Sequence, residues 1–332
     1  MDPNTAMEAA TEGAKALTKF QEILQKIFNP KWTKSQADAN MDTYERKLQM
    51  IRNNPDMEIA FIGDEMYAKK KDTEELICRA EQRTLTDIVR QETNIEKVLD
   101  ATKKELTAIN VVSDKPVDDD WIIRFFNIVK DVNNDDMQYL WGKILAGEIS
   151  SPKSFSLRAL DTLRNISTDE AQAFQKAIPL ILRHGNVYFI SSQNEILKEY
   201  NISMPDVLSL DECGLLNSSG TLSLNLHIAK GKNEFIFGTD TLISVNGLKE
   251  ETEKIRLGVH TLTKVGVELY QVLSQISNKE YMCTLAKQIF EKDSSKLQTS
   301  VHEITFLTRA SEGDYFKYSE TPIALFAPRA NV

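Results

Sequence analysis

The chain has 332 residues, 41% of them hydrophobic and 27% charged, with a formal net charge of −9. That balance excludes a disordered chain and leaves room for two or three compact units with sizeable cores. The acidic excess argues against broad, sequence-independent nucleic-acid binding, which needs Lys and Arg to neutralise phosphates.

Cys78, Cys213 and Cys283 are odd in number and far apart, so neither a disulfide framework nor a zinc ribbon is expected. No apolar run reaches the roughly 18 residues of a membrane-spanning helix. The opening Met1-Asp-Pro-Asn lacks the basic start and apolar core of a secretory signal, and a cytoplasmic location is expected. Lys69, Lys70 and Lys71 form the longest basic run and read as a solvated helix face.

Leu17, Phe20, Leu24, Ile27 and Phe28 recur at helical spacing over residues 15–28. They predict an amphipathic helix ended at Asn29-Pro30, because the residue before proline avoids the helical region. Its stripe is expected to dock on a neighbouring helix, with a membrane surface or a partner as the sharper alternative. From residue 36 to about 110 Gly and Pro are almost absent, and Leu85, Ile88, Ile95, Leu99 and Leu106 recur three and four apart. That pattern predicts one long helix over 76–108 with a narrow seam, interrupted by Glu92 and Thr102 and suited to a helical hairpin or to self-association.

Three acid-led helix starts follow: Asp118, Asp119 and Asp120 before Trp121, Asn133 to Asp136 before Leu140 and Trp141, and Ser167 to Glu170 before Ala171. Side-chain oxygens there accept otherwise unpaired helix N–H groups and suit the positive end of the helix dipole. After Gly185 the pattern changes. Residues 186–190, 222–227, 234–237, 241–245 and 301–307 have strand composition, with Gly231, Gly238 and Asn246-Gly247 as turns. Residues 204–216, 267–273 and 278–292 read as helices, with Thr263 as a cap and Gly266 allowing close packing. The expected fold is mainly α with a smaller α+β part: a helical region over 1–112, a central helical module over 113–184, and a winged-helix-like α+β unit over 185–332.

These residues resemble a bacterial family catalogued as a domain of unknown function, number 2806. The resemblance is carried by residues 13–19, Asn94-Ile95-Glu96, Asp119-Asp120-Trp121, the run 137–148, Ser154 to Arg158, and Leu262-Thr263 with Gly266. A looser similarity links residues 135–180, 210–216 and 262–266 to the Abi-alpha group, whose name implies abortive infection. What that similarity implies is a role in anti-phage defence; it supplies no reaction.

His184, His227, His260 and His302 show no metal-ligand spacing. No nucleophile elbow or phosphate-binding loop is present, and no cofactor is expected. The residues singled out are Asp120, Trp121, Asp136, Trp141, Lys143, Glu148 and Arg158. The acids, with Lys143, would suit a metal-dependent hydrolase if they converged, but helix capping accounts for most of them. Trp121 and Trp141 read as core anchors rather than stacking platforms. Arg158 reads as a partner for Glu148 or a neighbouring Asp, or as a forked donor to a phosphate or carboxylate. The expected function is that of a non-enzymatic interaction protein, assembling through its N-terminal helices and binding a partner or trigger. The alternatives are a winged-helix nucleic-acid-binding regulator, with Lys230, Lys232 and Lys249 near its wing, and the hydrolase.

Overall fold

The computed structural model describes residues 3–28, 49, 53, 58–62, 65–69, 73–109, 111–220, 222–250, 253–273, 276–310 and 313–328. They form two compact units, Met1–Leu157 and Arg158–Val332. Lys70 and Lys71, and the helix end expected at Asn29-Pro30, lie outside the described residues.

The first unit contains helix α1 (Pro3–Phe28), a hairpin of β1 (Glu58–Ile62) and β2 (Glu65–Lys69), and helices α2 (Thr73–Leu106), α3 (Asp119–Val129) and α4 (Asp135–Ser150). The hairpin corrects the all-helical reading of this region, and Lys69 closes a strand. The β-branched and aromatic residues Ile59, Phe61 and Ile62 suit a strand better than a helix. Within α1, Ala16, Phe20 and Ile23 are buried, so its stripe is covered inside this unit. The lysines of α1 serve the same docking. Lys15 Nζ donates to Val112 O at 3.0 Å, Lys19 Nζ to Lys115 O at 2.7 Å, and Lys26 pairs with Asp119 at 2.8 Å.

α2 turns only part of the expected seam inward: Thr102 and Leu106 of it are buried and Ile95 and Leu99 half-buried. Asn94, Val98, Ala101, Thr102 and Leu106 are buried, while Leu85 and Ile88 are 64% and 51% exposed. The reason lies at Gly142 of α4. A Cβ built there would meet Ala101 Cβ at 2.5 Å and Thr102 N at 2.9 Å. The two backbones therefore approach closely, and only small residues of α2 fit at the crossing. All three expected helix starts occur: Asp118 accepts from Trp121 N–H and Asn134 from Met137 N–H, and Ser167 forms a reciprocal capping box with Glu170.

The second unit opens with α5 (Leu157–Asn165) and α6 (Thr168–Ala177), then a 3₁₀ turn at Ile178–Leu180. β3 (Leu182–His184) and β4 (Val187–Ser191) precede α7 (Asn194–Glu199) and α8 (Met204–Glu212). β5 (Leu216–Asn217), β6 (Ser223–Ile228), β7 (Asn233–Phe237), β8 (Thr241–Gly247) and β9 (Glu253–Leu262) follow. α9 (Lys264–Val272), α10 (Lys279–Lys292), β10 (Leu297–Ala310), β11 (Gly313–Tyr318) and β12 (Ala324–Phe326) complete it.

Among the described residues the strands of this unit form one ten-stranded antiparallel sheet, ordered β11-β10-β8-β7-β3-β4-β9-β5, with β12 on β10 and β6 on β9. This corrects the expectation of a mainly α chain with a winged-helix-like end: the architecture is mixed, with helices in both units and a large sheet in the second. Of the wing strands expected from 222–245, β7 and β8 are inner members of that sheet, while β6 pairs with β9 alone. Thr263 caps α9 as expected, and a Cβ on Gly266 would fall 2.1 Å from Leu215 O. α10 covers one face of β8 and β10, where Leu297, Thr299 and Val301 are fully buried and Thr299 Oγ1 donates to Ala286 O. The alternating residues Gln298, Ser300 and His302 point to the other face, as the two-residue period of a strand requires. Among the described residues no helix is long and apolar enough to cross a membrane.

Candidate functional site

In the first unit the residues singled out from sequence have structural partners. Trp121 and Trp141 are buried and linked through Phe125, which stacks on Trp121 at 5.1 Å and meets Trp141 edge-on at 5.5 Å. Trp121 Nε1 donates to Phe155 O at 2.9 Å. Glu148 is 1% exposed, and its two carboxylate oxygens accept Lys153 N–H at 2.6 Å and Phe155 N–H at 3.0 Å. Lys153 sits at φ 75°, in the left-handed region. Glu148 is therefore the organiser of the turn that follows α4. A buried carboxylate is tolerated when hydrogen-bond donors surround it.

Asp120 and Asp136 are exposed in the first turns of α3 and α4. Lys143 lies with its Nζ 4.9 Å from the centre of the Tyr139 ring. Arg158 is exposed at the start of α5. No group of three or more His, Cys, Asp or Glu able to hold a metal ion occurs among the described residues.

The sequence reading missed a polar clamp across this unit. Asn94 Nδ2 donates to Lys130 O at 2.9 Å and to Asn133 Oδ1 at 3.0 Å, while Gln138 Nε2 donates to Asn94 Oδ1 at 3.1 Å and Val132 O at 2.7 Å. It fixes the α3–α4 turn against α2. The only signal was a polar residue in the Asn94-Ile-Glu96 motif, and its partners lie more than thirty residues away.

The site-like feature of the described residues is on the open face of the second unit's sheet, where none of the residues singled out earlier lies. β7 contributes Asn233, β8 Ser244 and Asn246, and β10 Gln298, Ser300 and His302 to a groove of about 460 Å³. Tyr318 and Glu320 close it. Strand register assembles the floor: Asn246 lies opposite both Gln298 and Asn233, and Ser244 opposite Ser300. A register shift between Ile304 and Phe306 bends β10. The β10–β11 arm then folds over this face, placing Phe316 4.8 Å from Phe235 and 5.0 Å from Phe237. Arg183 locks the arm, 6% exposed, pairing with Asp314 at 2.7 Å and lying over Phe237 at 4.8 Å.

The hydrogen-bond polarity of the groove follows from His302. Its Nδ1 lies 2.7 Å from Ser319 O, a carbonyl that can only accept, so the ring proton sits on Nδ1. When the ring carries that one proton, Nε2 is an acceptor, and the Ser300 hydroxyl, 2.8 Å away, donates to it. Ser300 Oγ thus presents lone pairs to the groove. Asn246 Oδ1 is buried there with no partner among the described residues. Among the described residues no Lys or Arg lines the groove.

The family model described as protein of unknown function (DUF2806) matches residues 78–286, well over half of the chain's 332 residues, and the chain belongs to that family. No curated protein and no solved structure matches it.

Proposed function

We propose that this member of the family is a non-enzymatic interaction protein in which the groove of the second unit receives a small polar trigger and the helical unit serves assembly. The observation that carries this reading is a groove of about 460 Å³ lined by the carboxamides of Asn233, Asn246 and Gln298 and the hydroxyl of Ser300. That volume lies within the roughly 300–1,000 Å³ of small-molecule sites. Support for assembly comes from α2, whose Leu85, Ile88 and Val89 are 64%, 51% and 66% exposed on one helical face. Apolar stripes of this kind are stabilised by a second helix.

Native mass spectrometry of the full chain, after exposure to a small-molecule extract of bacterial cells, tests the binding reading. The expected result is a discrete added mass that Gln298→Ala removes. Identical spectra for the two proteins would overturn it.

A defence role is the cellular form of this proposal. It rests on the looser resemblance of residues 135–180, 210–216 and 262–266 to the Abi-alpha group. Plaque counts on cells making Gln298→Ala at the parental level are expected to lose protection; unchanged protection would separate defence from the groove.

A further inference from the structure

Resting on the binding reading above, we infer that the groove takes a neutral saccharide, free or at the end of a glycan. The charge and polarity of its lining carry the assignment. Phosphate and carboxylate ligands are held by Lys, Arg or clustered N–H donors, and among the described residues no Lys or Arg lines the groove. Nucleotides and sugar phosphates are therefore poor fits.

Three carboxamides, from Asn233, Asn246 and Gln298, offer a donor and an acceptor each. Vicinal hydroxyls, each both donor and acceptor, match that array, whereas a flat base presents fewer groups and needs broad apolar walls. Ser300 Oγ, its own proton committed to His302, accepts from the ligand. A hydroxyl donor satisfies it. A buried acceptor left unmet costs about 1–3 kcal/mol, so an analogue lacking the matching hydroxyl is rejected. Tyr318, at 4.8 Å from His302, supplies the one aromatic wall on which the C–H face of a sugar ring packs.

Calorimetry and saturation-transfer NMR on the full chain, with free neutral mono- and disaccharides, immobilised glycans, nucleosides and a sugar phosphate as probes, test the assignment. The expected result is saturable binding of at least one neutral saccharide, weakened about tenfold by Ser300→Ala, as loss of one well-made hydrogen bond predicts. Gln298→Ala, which leaves the Ser300–His302 pair intact, is expected to weaken it similarly with an unchanged melting temperature. Binding to immobilised glycans but not to free sugars marks a glycan terminus as the source; the reverse marks a free metabolite. If a nucleoside or the sugar phosphate binds in the groove and no neutral saccharide does, the saccharide assignment falls while the binding reading stands. If the extract yields no added mass and no probe binds, both fall.

Discussion

Trp121 and Glu148 hold opposite sides of one residue: the indole N–H of Trp121 donates to Phe155 O, and the carboxylate of Glu148 accepts Phe155 N–H. The first comes from the start of α3, the second from the end of α4. Together they fix the turn after α4 to both helices without a strand or a disulfide. Glu148→Ala leaves two main-chain N–H groups without this acceptor, and unfolding in urea is expected to show a loss of about 2–5 kcal/mol. Trp121→Phe removes one bond while keeping most of the apolar area, at about 1 kcal/mol. Because both act on one peptide residue, the double variant is expected to lose less than the sum of the single losses. Strict additivity would show that the two grips are independent.

The α2–α4 crossing predicts intolerance of any side chain at Gly142. With Ala101 Cβ 2.5 Å from the built Cβ, Gly142→Ala forces the helices apart and is expected to cost about 1–3 kcal/mol, as overpacking does. Gly142→Val is expected to cost more. A denaturation midpoint equal to the parent's for both would contradict the close approach.

In the second unit, Arg183 is buried on Phe237 with Asp314 as its ion partner. Asp314→Ala leaves the guanidinium buried without that carboxylate, and about 3–5 kcal/mol of stability is expected to be lost. Replacing both residues by apolar ones of similar volume is expected to recover much of it. The measurement is the urea midpoint of these two variants against the parent.

His260 supplies a pH dependence. It is 5% exposed, both ring nitrogens lack a partner among the described residues, and burial lowers its pKa from the ordinary 6.5. The unfolded chain takes up the proton at pH values where the folded chain does not. The contribution of this residue is therefore fully present above about pH 6.5 and is lost as pH falls from there through the lowered value. Urea midpoints at about pH 7.5 and about pH 5 should differ less for His260→Gln than for the parent. Equal differences would contradict the buried neutral ring.

The sequence revealed what is local. Asp118, Asn134, Ser167 and Thr263 reach N–H groups three residues ahead, so composition at those positions predicts the helix starts. Most strand segments were legible for the same reason, from their local composition. Their partners were not. β3, β9, β11 and β12 complete a sheet in place of the expected wing, and no local signal sets that order. The groove was illegible because it depends on register: Asn246 meets Gln298 fifty-two positions on, and a bend at Ile304 brings Tyr318 overhead. The acids drew attention through their density, yet Asp118 and Glu148 accept main-chain N–H groups. The residues with unmet bonding were read differently: Asn246 as part of a turn, whereas it lies within β8, and His260 only as a histidine without ligand spacing.

The most direct test of a binding groove is amide hydrogen exchange across the full chain, with and without the fraction of extract that adds mass. The account predicts slower exchange at residues 244–246 and 298–302 on binding, abolished by Gln298→Ala. Protection confined to α2, α3 or α4, or none at β8 and β10, would contradict it.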